Sequence, residues 1–211
     1  MSDQNQVSRR QVLRHLGISV TLGASGAGLV QIEAAQHVHN AVAAEKSAAA
    51  KGEYAPKCFN AHEFATLRRL SDLIIPADNH SPGALEAGAA EFIDYLASTS
   101  PDLAEIYTGG IAWLDHTLQR HHNTDFLSAS PELQTAALDL IAYRKNETPE
   151  IAPGIRFFSW VRKMVADAYY TSPIGIKDLG YMGNTAVSQF SVPEEAVAYA
   201  LKRSPFGSGL P

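Results

Sequence analysis

The chain has 211 residues, with 17 lysines and arginines against 22 aspartates and glutamates, so its formal net charge is −5 at pH 7. This mildly acidic balance, without a basic cluster beyond the first residues, argues against a nucleic-acid-binding surface. Cys58 is the only cysteine, which excludes an intramolecular disulfide and any paired-cysteine metal or haem site. Its thiol is therefore either reduced or bonded to a cysteine of another chain.

The beginning of the chain has the organisation of an export leader. Arg9 and Arg10 stand side by side before apolar residues, and no formally charged residue occurs between residues 15 and 32. A basic segment, a moderately apolar segment and a small-residue segment in this order are typical of export signals. The adjacent arginines, with a serine before them, indicate the twin-arginine type of signal.

A membrane-spanning helix is the competing interpretation of the same segment. Such a helix needs about 20 predominantly apolar residues, whereas the run Leu16–Val30 is shorter and rich in glycine and serine. We therefore predict a signal peptide and linker over residues 1–43, with Ala41-Val42-Ala43 as the cleavage motif, and an exported domain over residues 44–211. Whether the signal is removed stays open, because this motif lies far from the apolar run.

Helical periodicity accounts for most of the chain after an alanine-rich segment, residues 41–51, that is typical of a linker. Asn60 is expected to cap the first helix together with Glu63, three residues later, and Pro76 is expected to end it. Apolar residues at helical spacing predict five further helices, over residues 84–97, from residue 101, from residue 131, over residues 154–170 and over residues 193–202.

Two local features modify these helices. Ser130 and Pro131 are predicted to form the cap and the first residue of the helix that begins there. Gly109 and Gly110 are expected to weaken or kink the helix that begins at residue 101, because glycine is a poor helix former.

The segment Thr171–Asn184 differs from the helical segments. Its prolines and glycines are typical of turns, while residues such as Ile174 and Leu179 are unusually apolar for a solvent-exposed loop. Either this loop folds back on its own helices, or another protein covers it. Since no segment alternates apolar and polar residues over a convincing strand length, we predict an all-α protein. It is expected to be a single irregular helical domain with a long ordered C-terminal loop, preceded by the export signal.

No group of residues has the spacing of a catalytic, cofactor-binding or metal site, so the sequence predicts none of these in this chain. Asp78 and His80 lie close enough along the chain to share a metal, but a polar turn is the better interpretation. Carboxylates such as Glu91 and Asp94 lie between apolar helix positions, so we predict that they belong to solvated faces rather than to an acid–base pair.

The histidine and tryptophan residues also fail to indicate a metal site or a cofactor site. His62 stands alone in the first turn of its predicted helix, and His116 and His121 are five residues apart instead of the four that a shared ligand face needs. Trp113 and Trp160 could stack on a sugar or a flavin. Because they recur at helical spacing, we assign them to the core.

Two segments resemble a known family. Residues 70–94, L-S-D-L-I-I-P-A-D-N-H-S-P-G-A-L-E-A-G-A-A-E-F-I-D, are similar to the motif of the gluconate 2-dehydrogenase subunit 3 family, which this chain matches from Ile75 to Asp94. Residues 169–184, Y-Y-T-S-P-I-G-I-K-D-L-G-Y-M-G-N, resemble the family's C-terminal loop. This second likeness is greatest for members associated with glucoside or lactose 3-dehydrogenases.

The resemblance implies a non-catalytic subunit of an oxidoreductase complex. Members of the family accompany a large FAD-binding subunit of the glucose-methanol-choline (GMC) type, often together with a cytochrome c subunit. The small subunit carries the twin-arginine signal, and the large one commonly lacks a signal. Because the twin-arginine route moves folded proteins, the resemblance implies that this chain aids the folding of the flavoprotein and exports it to the periplasm after docking.

Further expectations follow from the same resemblance. This chain itself is expected to hold no cofactor, with FAD in the partner, and to associate with the membrane only through partners. The apolar C-terminal loop is the expected docking surface, and the expected partner interface comprises Tyr170, Pro173, Gly175, Tyr181 and Gly183. Two alternatives to this role are a stand-alone periplasmic metal-dependent enzyme and a carbohydrate-binding module.

Overall fold

The computed structural model describes residues 27–50, 52–181 and 192–203, and all regular structure in these three ranges is helical. The all-α class is therefore confirmed for this part of the chain, while Arg9 and Arg10 of the predicted signal lie outside it. The α-helices are α1 (Ala27–Ala48), α2 (Ala61–Ile74), α3 (Ala89–Ser98), α4 (Pro101–His122), α5 (Pro131–Ala142), α6 (Ala152–Tyr170), α7 (Pro173–Asp178) and α8 (Glu194–Arg203). A short 3₁₀ helix, Arg144–Asn146, follows α5.

The chain divides into two compact units by its contacts. The first ends at Gly180 and contains α1 to α7, and the second begins at Tyr181 and contains α8. The helix predicted over residues 193–202 is thus confirmed within one residue at each end. Within the parts of the chain that the structure describes, no helix is both long and apolar enough to cross a membrane.

Local sequence signals explain several helix ends. The Asn60 side chain accepts a hydrogen bond from the Glu63 N–H group, and the Glu63 carboxylate accepts one from the Asn60 N–H group, both at 2.9 Å. This reciprocal capping box begins α2 as predicted. Ser130 caps α5 with Pro131 in its first turn, also as predicted.

The predicted helix over residues 84–97 is correct only in its second part. Residues 84–88 form turns, and α3 begins at Ala89. Gly88 has a φ of 75°, in the left-handed region that favours glycine, so the helix cannot extend back through this residue.

Helix α4 runs unbroken through both of its glycines. A Cβ atom on Gly110 would lie 2.0 Å from Cδ2 of Phe157, whereas a Cβ atom on Gly109 would meet nothing within 4 Å. Gly110 therefore allows α4 to approach α6 closely, and this packing role accounts for a residue that the sequence suggested as a weak point.

Helix α6 is the centre of the first unit. It packs against α2, α3, α4, α5 and α7, while α3 contacts α1, α2 and α4 as well. The Tyr107 ring of α4 is fully buried and lies 5.8 Å from the Phe59 ring and 6.3 Å from the Phe157 ring, centroid to centroid. Aromatic rings at such separations combine a large buried area with favourable edge contacts.

The C-terminal half of α1 belongs to this helical body, although the sequence placed residues 41–51 in a linker. Ala35, Val38 and Val42 are buried, and the helix packs against α3. The linker prediction is therefore wrong as far as Ala48, because an alanine-rich segment is a good helix former when one of its faces can be buried. The domain boundary at residue 43 and the cleavage motif stay predictions.

The predicted long C-terminal loop contains a helix. Ser172 caps α7, and Pro173 occupies its first turn. The loop prediction is wrong over residues 173–178. A proline is typical of turns, but directly after an N-cap serine it also starts a helix.

Candidate partner interface

The buried hydroxyl of Tyr169 joins the two segments that the sequence singled out. It lies 2.8 Å from Oγ of Ser81 and 3.1 Å from the carbonyl oxygen of Pro82, both in the loop after α2. It also lies 3.3 Å from Oδ2 of Asp178 at the end of α7. We call Ser81, Pro82, Tyr169 and Asp178 the motif junction. Burial raises the pKa of Tyr169, so this hydroxyl keeps its proton and can donate.

The loop after α2 is shaped by its own hydrogen bonds. Oδ1 of Asp78 accepts the N–H groups of His80 at 2.7 Å and Ser81 at 2.9 Å, and these bonds lower the pKa of Asp78. The polar-turn interpretation of Asp78 and His80 is thereby confirmed. In the described ranges, no three histidine, cysteine, aspartate or glutamate residues are arranged to hold a metal ion.

Gly83 lies where this loop packs against residues 75–77, which follow α2. A Cβ atom at Gly83 would lie 2.5 Å from the Ala77 nitrogen and 2.7 Å from the Ile75 carbonyl oxygen, both of which are backbone atoms. The Gly83 N–H group donates to the Glu86 carboxylate at 2.9 Å. Because backbone cannot move aside cheaply, only glycine fits here.

Helix α7 is held against the end of α6 by a similar close approach. A Cβ atom at Gly175 would lie 2.1 Å from the Tyr169 carbonyl oxygen. The Ser172 hydroxyl donates to that same carbonyl at 2.6 Å and accepts the Gly175 N–H group at 3.1 Å. Gly175 is therefore a buried packing position, which fixes the orientation of α7 from inside.

The other residues of the expected interface lie in different environments. Tyr170 is 44% exposed and Pro173 is exposed, both beside the motif junction. Tyr181 is half exposed at the start of the second unit, and Gly183 lies outside the described residues. The structure thus brings Tyr170, Pro173 and Gly175 together in the first unit.

Leu179, which the expected interface omitted, adds to the apolar surface at this place. Its side chain is 60% exposed directly after α7, and the Tyr170 ring packs edge-on against Tyr169 at 5.0 Å between centroids. We call the exposed groups Pro82, Tyr170, Pro173 and Leu179 the junction surface. The first alternative for this segment is thus confirmed in part, since the backbone at Gly175 packs against the end of α6. Tyr170 and Leu179 are exposed, and their coverage by another protein stays a prediction.

A family model described as gluconate 2-dehydrogenase subunit 3 matches residues 61–188 of the chain. The chain belongs to this family. The match spans more than half of the 211 residues and includes every residue of the motif junction. The family is named for a subunit of a dehydrogenase complex. Comparisons with curated proteins and with solved structures gave no match.

Asp94 is fully buried, so the prediction of a solvated face for it is wrong. Its carboxylate accepts the Tyr54 hydroxyl at 2.8 Å and the N–H groups of Lys57 at 2.7 Å, Phe59 at 3.0 Å and Cys58 at 3.1 Å. Four donors compensate the burial of one charge. Asp94 thereby fixes the segment that leads into α2.

Glu91 is the second carboxylate that the sequence misplaced, since it is 4% exposed. Its Oε1 atom lies 3.2 Å from Lys46 Nζ of α1 and 3.2 Å from Arg68 Nη1 of α2. Because Glu91 belongs to α3, this contact connects three helices. The two cations are 45 and 23 residues away along the chain, so no local pattern could have predicted the pairing.

His62 has a partner, contrary to the prediction that it stands alone. Its Nε2 atom lies 2.7 Å from Oδ2 of Asp115 on α4, and Oδ1 of Asp115 accepts the Phe126 N–H group at 2.9 Å. The hydrogen bond to Asp115 raises the pKa of His62.

Cys58 is partly buried against the core, and burial raises the pKa of its thiol.

The tryptophans are packed against the core without being fully buried. Trp113 donates its indole N–H group to the Glu150 carbonyl at 3.3 Å and lines an apolar groove of about 650 Å³ between α4 and α5. Leu133, Ala137 and Leu140 form the opposite wall of this groove. The core assignment of Trp113 and Trp160 is thus confirmed in part, with one face of Trp113 open to the groove.

Proposed function

We propose that this chain is the non-catalytic small subunit of a periplasmic, FAD-dependent dehydrogenase of the GMC type that oxidises a sugar or gluconate. In this proposal it aids the folding of the flavoprotein subunit and its export by the twin-arginine route. The observation that carries the proposal is the convergence of both family segments at Tyr169, beside the exposed apolar side chains of Tyr170 and Leu179.

The junction surface has the properties of a docking site for the flavoprotein. Tyr170 and Leu179 each follow a residue that is held by hydrogen bonds. The Tyr169 carbonyl accepts the Ser172 hydroxyl, and the Asp178 carboxylate contacts the Tyr169 hydroxyl. Such support reduces the conformational entropy that is lost when a partner covers the two exposed side chains. Aromatic side chains on such rigid supports are typical binding hot spots. A stable complex buries about 1,200–2,000 Å² in total, so the junction surface would be the centre of a wider interface.

The proposed export role follows from the physical order of events. A flavin is inserted while the flavoprotein folds, so a flavoprotein that is to cross the membrane with its cofactor has to cross in the folded state. The signal at Arg9 and Arg10 would serve both chains if they dock first. FAD would remain in the large subunit, and a cytochrome c subunit would accept the electrons. The resemblance of residues 169–184 to family members associated with glucoside or lactose 3-dehydrogenases favours a sugar as the substrate of the complex.

Affinity purification from cells that encode this chain tests the subunit role. A tagged full-length chain is expected to bring down a flavoprotein in a stoichiometric amount, identified by mass spectrometry and by flavin absorbance. A chain that runs as a monomer in a native extract, with no larger species containing it, would contradict the proposal.

A matched pair of tyrosine substitutions tests the docking site. Tyr170→Asp is expected to weaken capture of the flavoprotein about tenfold or more, since loss of a central aromatic anchor commonly costs more than about 1.4 kcal/mol. Tyr143→Asp is the control, because Tyr143 is 55% exposed but lies outside the junction surface. Equal capture by the two variants would remove the junction surface from the interface.

Substitution of the paired arginines tests the export role. Changing Arg9 and Arg10 to lysine keeps the charge of the leader, and it is expected to leave both this chain and the flavoprotein in the cytoplasm. Cell fractionation with an antibody or tag on each chain measures both locations. Flavoprotein in the periplasm of that variant would show that the two chains are exported independently.

A further inference from the structure

The C-terminal half of α1 has one face built into the helical body. Ala35, Val38 and Val42 are 1%, 3% and 6% exposed, at positions that fall on a single side of a helix. This side packs against α3. The next residue, Ala43, is exposed, so burial follows the helical period and is not a general property of the segment.

Polar groups hold the same helix in place. The His39 ring lies 4.8 Å from the Phe92 ring of α3, and its Nε2 atom lies 3.1 Å from Oγ1 of Thr171, next to the end of α6. Burial lowers the pKa of His39, which favours the neutral ring at this position. The Lys46 ammonium group reaches Glu91 from the same helix.

Cleavage at the predicted motif conflicts with this packing. A cut after Ala43 would separate Ala35, Val38 and His39 from the domain and expose the apolar groups that they cover, which destabilises the folded state. The bond after Ala43 also lies inside a hydrogen-bonded helix, and a protease reaches such a bond only after local unfolding.

We infer that the mature protein keeps the segment of residues 34–48 as part of its fold, so that any removal of the leader takes place upstream of Ala34 and not at Ala41-Val42-Ala43. This places the processing site in a part of the chain that the sequence pattern alone did not indicate. The structural half of the inference, that residues 34–48 belong to the fold, stands independently of the proposed export role. The processing half, that any removal of the leader takes place upstream of these residues, depends on that role.

Two adjacent substitutions in the full chain test the structural half. Val42→Asp places a charge on the buried face and is expected to lower the melting temperature by about 5 °C or more. Ala43→Asp places the same residue on the exposed face of the same helix and is expected to change it by less than about 2 °C. If Val42→Asp yields no folded protein, Val38→Ala replaces it, with an expected fall of roughly 2–8 °C. Small and equal shifts for both faces would overturn the inference.

The mass of the intact protein tests the processing half. Wild type and the Ala43→Asp variant are expressed with the complete leader, and the periplasmic protein is weighed. We expect an N-terminus at or upstream of Ala34 and a mass difference between the two proteins equal to that of the substitution, because residue 43 is retained. A wild-type N-terminus at residue 44 would overturn the inference. Unexported protein with its whole leader would contradict the export role, and the melting temperatures of the substitution pair would then decide the inference alone.

Discussion

At the scale of single residues, the carboxylate of Asp94 organises the segment that leads into α2. In Asp94→Asn an NH2 group replaces one carboxylate oxygen. A hydrogen-bond acceptor thus becomes a donor that faces the donors already present. We expect the free energy of unfolding to fall by about 1–3 kcal/mol, the usual effect of leaving a buried polar group unsatisfied. Chemical denaturation of the full chain measures this quantity.

The control for this substitution is Asp139→Asn on α5, because Asp139 is exposed. It removes the same charge and is expected to change the free energy of unfolding by no more than about 0.5 kcal/mol. Similar effects of the two substitutions would mean that Asp94 contributes through net charge rather than through its four hydrogen bonds.

The His62–Asp115 contact is expected to make stability depend on pH. Because the folded pKa of His62 is raised, its contribution is fully present below the unfolded value, about 6.5, and is lost as the pH rises through the folded value. The His62 side chain is 45% exposed, so solvent limits the effect to at most about 1 kcal/mol.

The measurement is the difference in the free energy of unfolding between wild type and His62→Gln at a series of pH values. This difference should be larger at pH near 5.5 than at pH near 8.5, since glutamine retains a hydrogen bond but does not titrate. His116→Gln, at an exposed position on α4, is the control. A difference that is constant over this range would contradict the predicted role of the ion pair.

Sequence reasoning failed at Asp94 and Glu91 for a physical reason. A carboxylate between apolar helix positions is normally solvated, because burial of a charge is expensive without partners. The partners here are N–H groups of residues 57–59 and the side chains of Lys46 and Arg68. They are distant along the chain, and only the tertiary fold brings them to α3.

At the scale of elements, Gly109 and Gly110 allow a direct test of how α4 packs on α6. Gly109→Ala is expected to stabilise the protein by up to about 1 kcal/mol, because alanine favours the helix and meets open space there. Gly110→Ala has the same helical benefit but forces the Phe157 ring to move. We expect it to destabilise by about 1–3 kcal/mol, as overpacking of a core does. Thermal unfolding distinguishes the two signs, and stabilisation by both would contradict the close approach.

Helix boundaries were predictable where a short local signal decides them. The Asn60–Glu63 capping box and the Ser130–Pro131 pair fix the starts of α2 and α5 through atoms a few residues apart. Helix α7 was missed because six residues are too few to show a helical period. The C-terminal half of α1 was missed because its residues have the composition of a signal peptide and an alanine-rich linker.

At the scale of the whole molecule, the sequence identified the family segments but not how they meet. The likeness of residues 70–94 and 169–184 to the family was visible in the sequence, and the family match confirms it. Their connection depends on the hydroxyl of Tyr169, which a helical pattern marks only as one more apolar position. The junction surface could therefore be identified only from the fold, since the exposure of Tyr170 and Leu179 cannot be deduced from residue type.

The division of the chain at Gly180 leads to a prediction that separates stability from binding. Helix α8 buries none of its residues, and the unit up to Gly180 contains the described hydrophobic core. A chain that stops at Gly180 should therefore unfold within about 2 °C of the full chain, because none of the residues of α8 contributes to the described core. The same truncation removes Tyr181 and Gly183, so capture of the flavoprotein should weaken. A large fall in melting temperature would show that residues after Gly180 stabilise the first unit, and unchanged capture would exclude Tyr181 and Gly183 from the interface.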